Sequence, residues 1–178
     1  MKVGVFLSAK SDLPESYHQA AEQVGALLGD EGHTLVYGGS DRGLMEVLAQ
    51  SAKAHGARVY GMVPDILEKR GWVSDTLDVT FRCADLTDRK MMMNRESDVL
   101  VALPGGIGTL DEVFTVLANT GIGIKRQPVI FYNINGCWQP LLTALDVLFA
   151  QGLISGKPSD YYSVVTNIDE LRSELQQL

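Results

Sequence analysis

Short runs of aliphatic and β-branched residues alternate along the chain with longer stretches whose apolar positions recur at helical spacing, the pattern of a βαβ series with a mainly parallel sheet. Val3 to Leu7 reads as a first strand. Pro14 to Leu28 follows as a helix with Tyr17, Ala20, Ala21, Val24, Leu27 and Leu28 on one face, stopped by Gly29 to Gly32. Thr34–Tyr37 is a second strand, Leu44 to His55 a second helix, and Ala57 to Val63 a third strand closed by Pro64. Asp65 to Asp78 has no period that decides its element. Beyond it the pattern predicts a strand over Asp78 to Arg82, a helix from Asp85 to Glu96 and a compact strand over Asp98 to Leu103. A helix then opens at Pro104 to Gly108 and ends near Gly121 and Gly123. A strand over Pro128 to Tyr132, a helix from Pro140 to Gln151, a strand over Tyr161 to Val165 and a helix over Ile168 to Leu178 complete the series. No repeat, low-complexity tract or linker interrupts it, so residues 1–178 read as one α/β domain, a doubly wound three-layer α/β/α sandwich.

Composition narrows the function classes. With 46% hydrophobic and 21% charged residues and a mean hydropathy of +0.04, the chain has an ordinary globular profile, and no apolar run approaches the ~20 residues that span a bilayer. The apolar start at Val3 to Leu7 is too short for a signal peptide, so the expectation is a cytoplasmic protein with no membrane partner. A net charge of -7 lacks the basic footprint of a nucleic-acid binder. Cys83 and Cys137 stand far apart, and His18, His33 and His55 form no metal-binding spacing. Neither a zinc site, a disulfide nor a cofactor is expected, and each cysteine reads as a small buried hydrophobe.

Two loops share one design, in which a buried strand runs into glycines that run into a helix. The first is Gly38-Gly39-Ser40-Asp41-Arg42-Gly43 and the second Pro104-Gly105-Gly106-Ile107-Gly108-Thr109. Glycine lets the backbone approach a phosphate, and the N–H groups at a helix start attract the anion. A glycine after a strand also makes a plain tight turn. Two such loops at the carboxyl edge of one sheet, each with a hydroxyl residue (Ser40, Thr109), point to a phosphorylated small molecule. The first strand lacks a G-x-G-x-x-G, which disfavours a nicotinamide dinucleotide, and the second loop lacks the Gly-Lys-Ser/Thr ending of a P-loop. A mononucleotide fits better.

The charged residues near these loops carry two readings. Thr109-Leu110-Asp111-Glu112 has capping-box spacing, with Thr109 as N-cap and Glu112 reaching back to it. Alternatively Glu112 lies one turn inside a phosphate-binding helix, where its carboxylate orients water or stabilises an oxocarbenium ion. Asp88-Arg89-Lys90 is by default a solvated patch, yet cations near a helix start oppose the helix dipole, so a bound phosphate would explain them. Met91-Met92-Met93 reads as core or interface packing, with a lining for a flat base as the alternative, and Glu68-Lys69-Arg70-Gly71-Trp72 as a surface turn with a partly buried aromatic, with stacking of Trp72 on a base as the alternative.

Pro104-Gly105-Gly106-Ile107-Gly108-Thr109-Leu110-Asp111-Glu112, with Arg89-Lys90 before it, resembles the P-G-G-x-G-T-x-x-E signature and R-K pair of the Lonely Guy (LOG) family, and the similarity extends over nearly the whole chain. The resemblance implies a Rossmann-like homodimer that cleaves cytokinin riboside 5′-monophosphates, or AMP, into free base and ribose 5-phosphate. It also implies Arg89 and Glu112 as the catalytic pair, with Gly39, Ser40, Gly105, Gly106, Gly108 and Thr109 holding phosphate and ribose; Gly38 and Lys90 join them as substrate-binding residues. The label lysine decarboxylase, often attached to such sequences, implies pyridoxal phosphate chemistry, for which no lysine here has the context. Several positions depart from the family: Ser40 and Glu46 replace glycines, Leu86-Thr87-Asp88 precedes the Arg-Lys pair in place of Met-His-x, and Asn119-Thr120-Gly121-Ile122-Gly123 replaces W-x-Q-L-G. The catalytic pair survives these changes, which bear instead on the choice of base. A competing reading is a nucleotide or molybdenum-cofactor carrier of the same fold that binds without turnover. The apolar stretches at Met91 to Met93 and Val113 to Leu117 are expected either at a dimer contact or in the core.

Overall fold

The computed structural model describes residues 1–178. Strand and helix alternate as β1 (Lys2–Phe6), α1 (Glu15–Asp30), β2 (Thr34–Tyr37), α2 (Gly43–Ala54), β3 (Arg58–Pro64), α3 (Asp65–Arg70), β4 (Val79–Cys83), α4 (Leu86–Glu96), β5 (Val99–Ala102), α5 (Ile107–Gly121), β6 (Val129–Tyr132), α6 (Gln139–Ala150), β7 (Ser163–Val165) and α7 (Ile168–Leu175). The seven strands form one sheet in the order β4-β3-β2-β1-β5-β6-β7, and every pairing is parallel. From β1 the chain winds outward to β4 and then returns across β1 to start β5. Val3 therefore pairs with both Leu35 and Val99, and the carboxyl ends of β1 and β5 flank the crevice where the winding reverses.

Alternation along the strands supplies both faces. Val3, Val5, Leu35, Tyr37, Val99, Val101, Ile130 and Tyr132 pack with α1, α2 and α7, while Phe6, Val36, Leu100, Ala102, Val129 and Phe131 pack with α4, α5 and α6. Side chains from both faces are fully enclosed, which explains why the strands read as continuous apolar runs.

The undecided stretch before β4 is a short helix, α3, ended by Gly71 in the left-handed region (φ 65), and then an extended segment whose Val73 bridges Ser40 of the first glycine loop. The last strand is shorter than its hydrophobic run, because Tyr161 and Tyr162 lead from a 3-10 turn at Pro158–Asp160 to its start at Ser163. A reciprocal cap forms at α4. The Asp85 carboxylate accepts from the amides of Thr87 and Asp88, and the Asp88 carboxylate accepts from the amide of Ala84. That cap holds Arg89 and Lys90 at fixed positions at the top of α4.

Candidate functional site

Three loops meet at the carboxyl edge of the sheet, after β1, β2 and β5. The amide of Ser8 donates to the carbonyl of Pro104 at 3.1 Å, which ties the β1 loop to the second glycine loop. Gly43 ties it to the first: its φ is 51°, and a Cβ there would overlap the carbonyl of Lys10, so this position needs glycine. Ser74 donates its amide to the carbonyl of Gly39, and Asp41 donates to that of Trp72, so the segment after α3 straps the first loop down.

The N-cap of α5 is Gly106, with no side chain capping it, and the helix begins at Ile107. Thr109 is thus the third helical residue, and the capping-box reading of Thr109 and Glu112 is overturned. The first amide to find a helical carbonyl is that of Leu110, bonded to Gly106, so the preceding amides at the helix start lack a helical partner. No acidic side chain occupies this first turn. Thr109 is buried, and its side chain fills the space a Cβ at Gly105 would need, which accounts for the first glycine of the signature.

Glu112 sits in the second turn of α5 and faces α4. Arg89 Nη2 donates to Glu112 Oε1 at 2.7 Å, with side-chain exposures of 13% and 4%. Burial pushes the Glu112 carboxyl above its ordinary 4.5, opposed by the Arg89 charge and hydrogen bond. The Arg89 Nε is buried without a partner, and Nη1 lies over Gly38, where a Cβ would come within 3.2 Å of it. Lys90 Nζ donates to both carboxylate oxygens of Asp111, at 2.7 and 2.8 Å. The cations near the start of α4 are therefore held by the carboxylates of α5, and no phosphate is needed to explain them.

Ser40, Arg89, Gly106, Gly108, Thr109 and Glu112 line one cleft of about 490 Å³. Of the other expected residues, Gly38 lies beneath Arg89, Gly39 (φ 73) shapes the loop, Gly105 opens on an adjoining cavity of about 270 Å³, and Lys90 is turned to Asp111 outside the cleft lining. The cleft also contains Arg42 of the first glycine loop, Trp72, and Ser8 and Lys10, the last two of which the sequence did not mark. Trp72 is no plain surface turn, since the guanidinium groups of Arg42 and Arg70 lie over its ring, 4.5 and 4.7 Å from the centroid. Ser8 and Lys10 carry no motif. Only the adjacency of β1 and β5 signals them, because it sets the β1 loop against the second glycine loop.

Burial pushes the thiols of Cys83 and Cys137 up to about 11, in keeping with inert cysteines. Glu46 accepts from Gln50 and does not line the cleft.

A parallel doubly wound sheet with glycine-rich loops and a buried Arg–Glu pair at its switch point defines a Rossmann-like protein with a small-molecule cleft. The family model described as "Possible lysine decarboxylase" matches residues 45–175. Among curated proteins, the chain is 35% identical over 176 residues to the cytokinin riboside 5′-monophosphate phosphoribohydrolase LOG7 of Arabidopsis thaliana, covering 99% of this chain and 81% of that protein. It is 36% identical over 177 residues to LOG5 of the same plant, covering 98% and 77%. The chain belongs to the LOG family, whose named members are hydrolases acting on N-glycosyl bonds. Its fold also matches the molybdenum cofactor carrier protein of Chlamydomonas reinhardtii, with a TM-score of 0.75 at 23% identity over 99% of this chain and 95% of that one. Pyridoxal phosphate does not fit the cleft. Its one lysine, Lys10, is exposed, and its one carboxylate, Glu112, is committed to Arg89.

Proposed function

We propose that the cleft hydrolyses the N-glycosidic bond of a purine ribonucleoside 5′-monophosphate, with or without an N6 substituent, releasing free base and ribose 5-phosphate. The observation that carries this reading is Glu112, a carboxylate 4% exposed whose protein partner is Arg89 and which borders a cleft walled by the open start of α5. With the 5′-phosphate at the α5 amides, the ribose lies toward Glu112.

As the C1′–N bond lengthens, positive charge grows on C1′ and the ring oxygen, and the Glu112 carboxylate opposes it. Water attacks C1′ and gives a proton to Glu112, which passes it on so that the departing base regains the proton it needs. A carboxylate raised above 4.5 is a better proton acceptor than an exposed one. Arg89 keeps the buried carboxylate ionised and fixes its orientation.

The exposed side chains of Met91 on α4 and Phe114 on α5 form the contact we assign to a homodimer. Met93, Val113, Val116 and Leu117 belong to the core and are not available to it. Light scattering of Met91→Glu and Phe114→Glu tests this assignment, with a monomer as the expected result.

The activity is tested by incubating the protein with AMP and its N6-isopentenyl analogue and following base and ribose 5-phosphate by chromatography, with Glu112→Gln in parallel. Base release that vanishes in the folded variant is the expected result. Saturable binding by both proteins without release refutes hydrolysis and leaves a carrier.

A further inference from the structure

Four charged side chains line the cleft: Lys10, Arg42, Arg89 and Glu112. Arg89 and Glu112 neutralise each other at 2.7 Å. Arg42 faces Asp41 at 3.4 Å and lies over Trp72, and Lys90, the second cation of the Arg-Lys pair, is spent on Asp111. A phosphate dianion therefore finds little uncommitted charge in the residues the family signature supplies. Lys10 has no acidic partner.

A lysine without a partner on an exposed loop is ordinarily a solvated charge. Lys10 differs in how its backbone is held. Its amide donates to Ser8 Oγ at 3.1 Å, Ser8 is itself bonded to Pro104 of the second glycine loop, and the Lys10 carbonyl sits in the space left by the missing side chain of Gly43. Three loops thus fix the origin of one free ammonium. That origin lies where the cleft and its adjoining cavity meet, since both are bordered by Ser8, Lys10 and Gly106. Gly106 is also the open N-cap of α5, whose first turn carries no acid to compete for an anion.

We propose that Lys10 is the charge partner of the substrate's 5′-phosphate and makes the cleft select 5′-phosphorylated nucleosides over unphosphorylated ones. This assignment rests on the nucleoside monophosphate reading above. The ammonium donates to phosphate oxygens while the α5 amides orient them. The phosphate keeps its charge throughout the reaction, so Lys10 stabilises bound substrate and transition state alike. Its loss raises KM and leaves kcat unchanged.

The test compares the full-length protein with Lys10→Gln and Lys10→Arg. Steady-state kinetics with AMP are paired with calorimetric binding of AMP, ribose 5-phosphate and adenosine. For Lys10→Gln the expected result is a rise of about 10- to 100-fold in the KM for AMP and in the Kd for ribose 5-phosphate, the range for a hydrogen bond to a charged group. The kcat and the affinity for adenosine stay unchanged, and Lys10→Arg recovers most of the loss. Equal affinity of native protein and Lys10→Gln for ribose 5-phosphate overturns the assignment, as does an equal loss for adenosine, which would mark a structural role. Native protein that binds AMP but releases no base refutes hydrolysis alone, and the binding ratios still decide Lys10. Native protein that binds neither AMP nor ribose 5-phosphate refutes both.

Discussion

Replacing Arg89 by Met removes the charge partner of a carboxylate that is 4% exposed while keeping the bulk of the side-chain stem. Breaking one side of a buried ion pair costs about 3–5 kcal/mol when the remaining charge stays ionised. Glu112 has an escape, because it can take up a proton. Its pKa is already above 4.5 in the native protein through burial, and Arg89 is the largest influence holding it down. Without Arg89 the folded-state value climbs further while the unfolded value stays put. The folded state then holds one more proton than the unfolded state over a wider window that starts at the unfolded value and extends upward. Within that window stability falls as pH rises, by at most about 1.4 kcal/mol per pH unit. Urea unfolding at pH 5 and pH 8 should show Arg89→Met losing more at pH 8, with Arg89→Met/Glu112→Gln recovering much of that loss because no buried charge remains. An equal loss at both pH values, or a double variant no more stable than the single one at pH 8, would refute the idea that the pair is held together by burial of the Glu112 charge.

The same shift sets the pH dependence of turnover: the rate should fall as pH drops through the raised pKa of Glu112, at a pH above 4.5, and a profile flat down to 4.5 would remove the carboxylate from the chemistry. Gly105→Ala forces a Cβ into the Thr109 side chain and should cost about 1–3 kcal/mol. Gly108→Ala meets open space in the first turn of α5, so thermal melts should show a clear drop for Gly105→Ala and none for Gly108→Ala. Trp138 is buried, packs edge-on against Phe131 and donates its indole N–H to the carbonyl of Ala102 at 3.1 Å, so Trp138→Ala should cost about 3–5 kcal/mol by urea titration. Cys83 and Cys137, with thiols at about 11, should resist iodoacetamide at pH 7.5 in the native state; alkylation at the rate of a free thiol would show that the burial argument fails.

Most of the fold was legible because its causes are local. Parallel strands enclosed on both faces must be continuous apolar runs, helices between them must carry one apolar stripe, and the glycine loops interrupt both patterns at strand ends, so 3.6 and 2.0 periodicity with glycine punctuation located nearly every element. The signature from Pro104 to Glu112 likewise marked the second loop and the carboxylate. The role of Glu112 was not legible, since a helix cap and a carboxylate free to face a ligand both suit Thr109-Leu110-Asp111-Glu112. The start of α5 at Ile107 removes the cap, and the partner Glu112 does have, Arg89, arrives from a helix 23 residues away in sequence. The same holds for Arg89 and Lys90. Their order in the chain put both at the site, but the facing of α4 against α5 sent one to Glu112 inside the cleft and the other to Asp111 outside it. Ser8 and Lys10 bear no motif and enter the cleft because strand order and loop packing carry them there. Periodicity and loop chemistry are properties of a few neighbouring residues, whereas the charge state of Glu112 and the freedom of Lys10 depend on which distant groups the sheet brings alongside them.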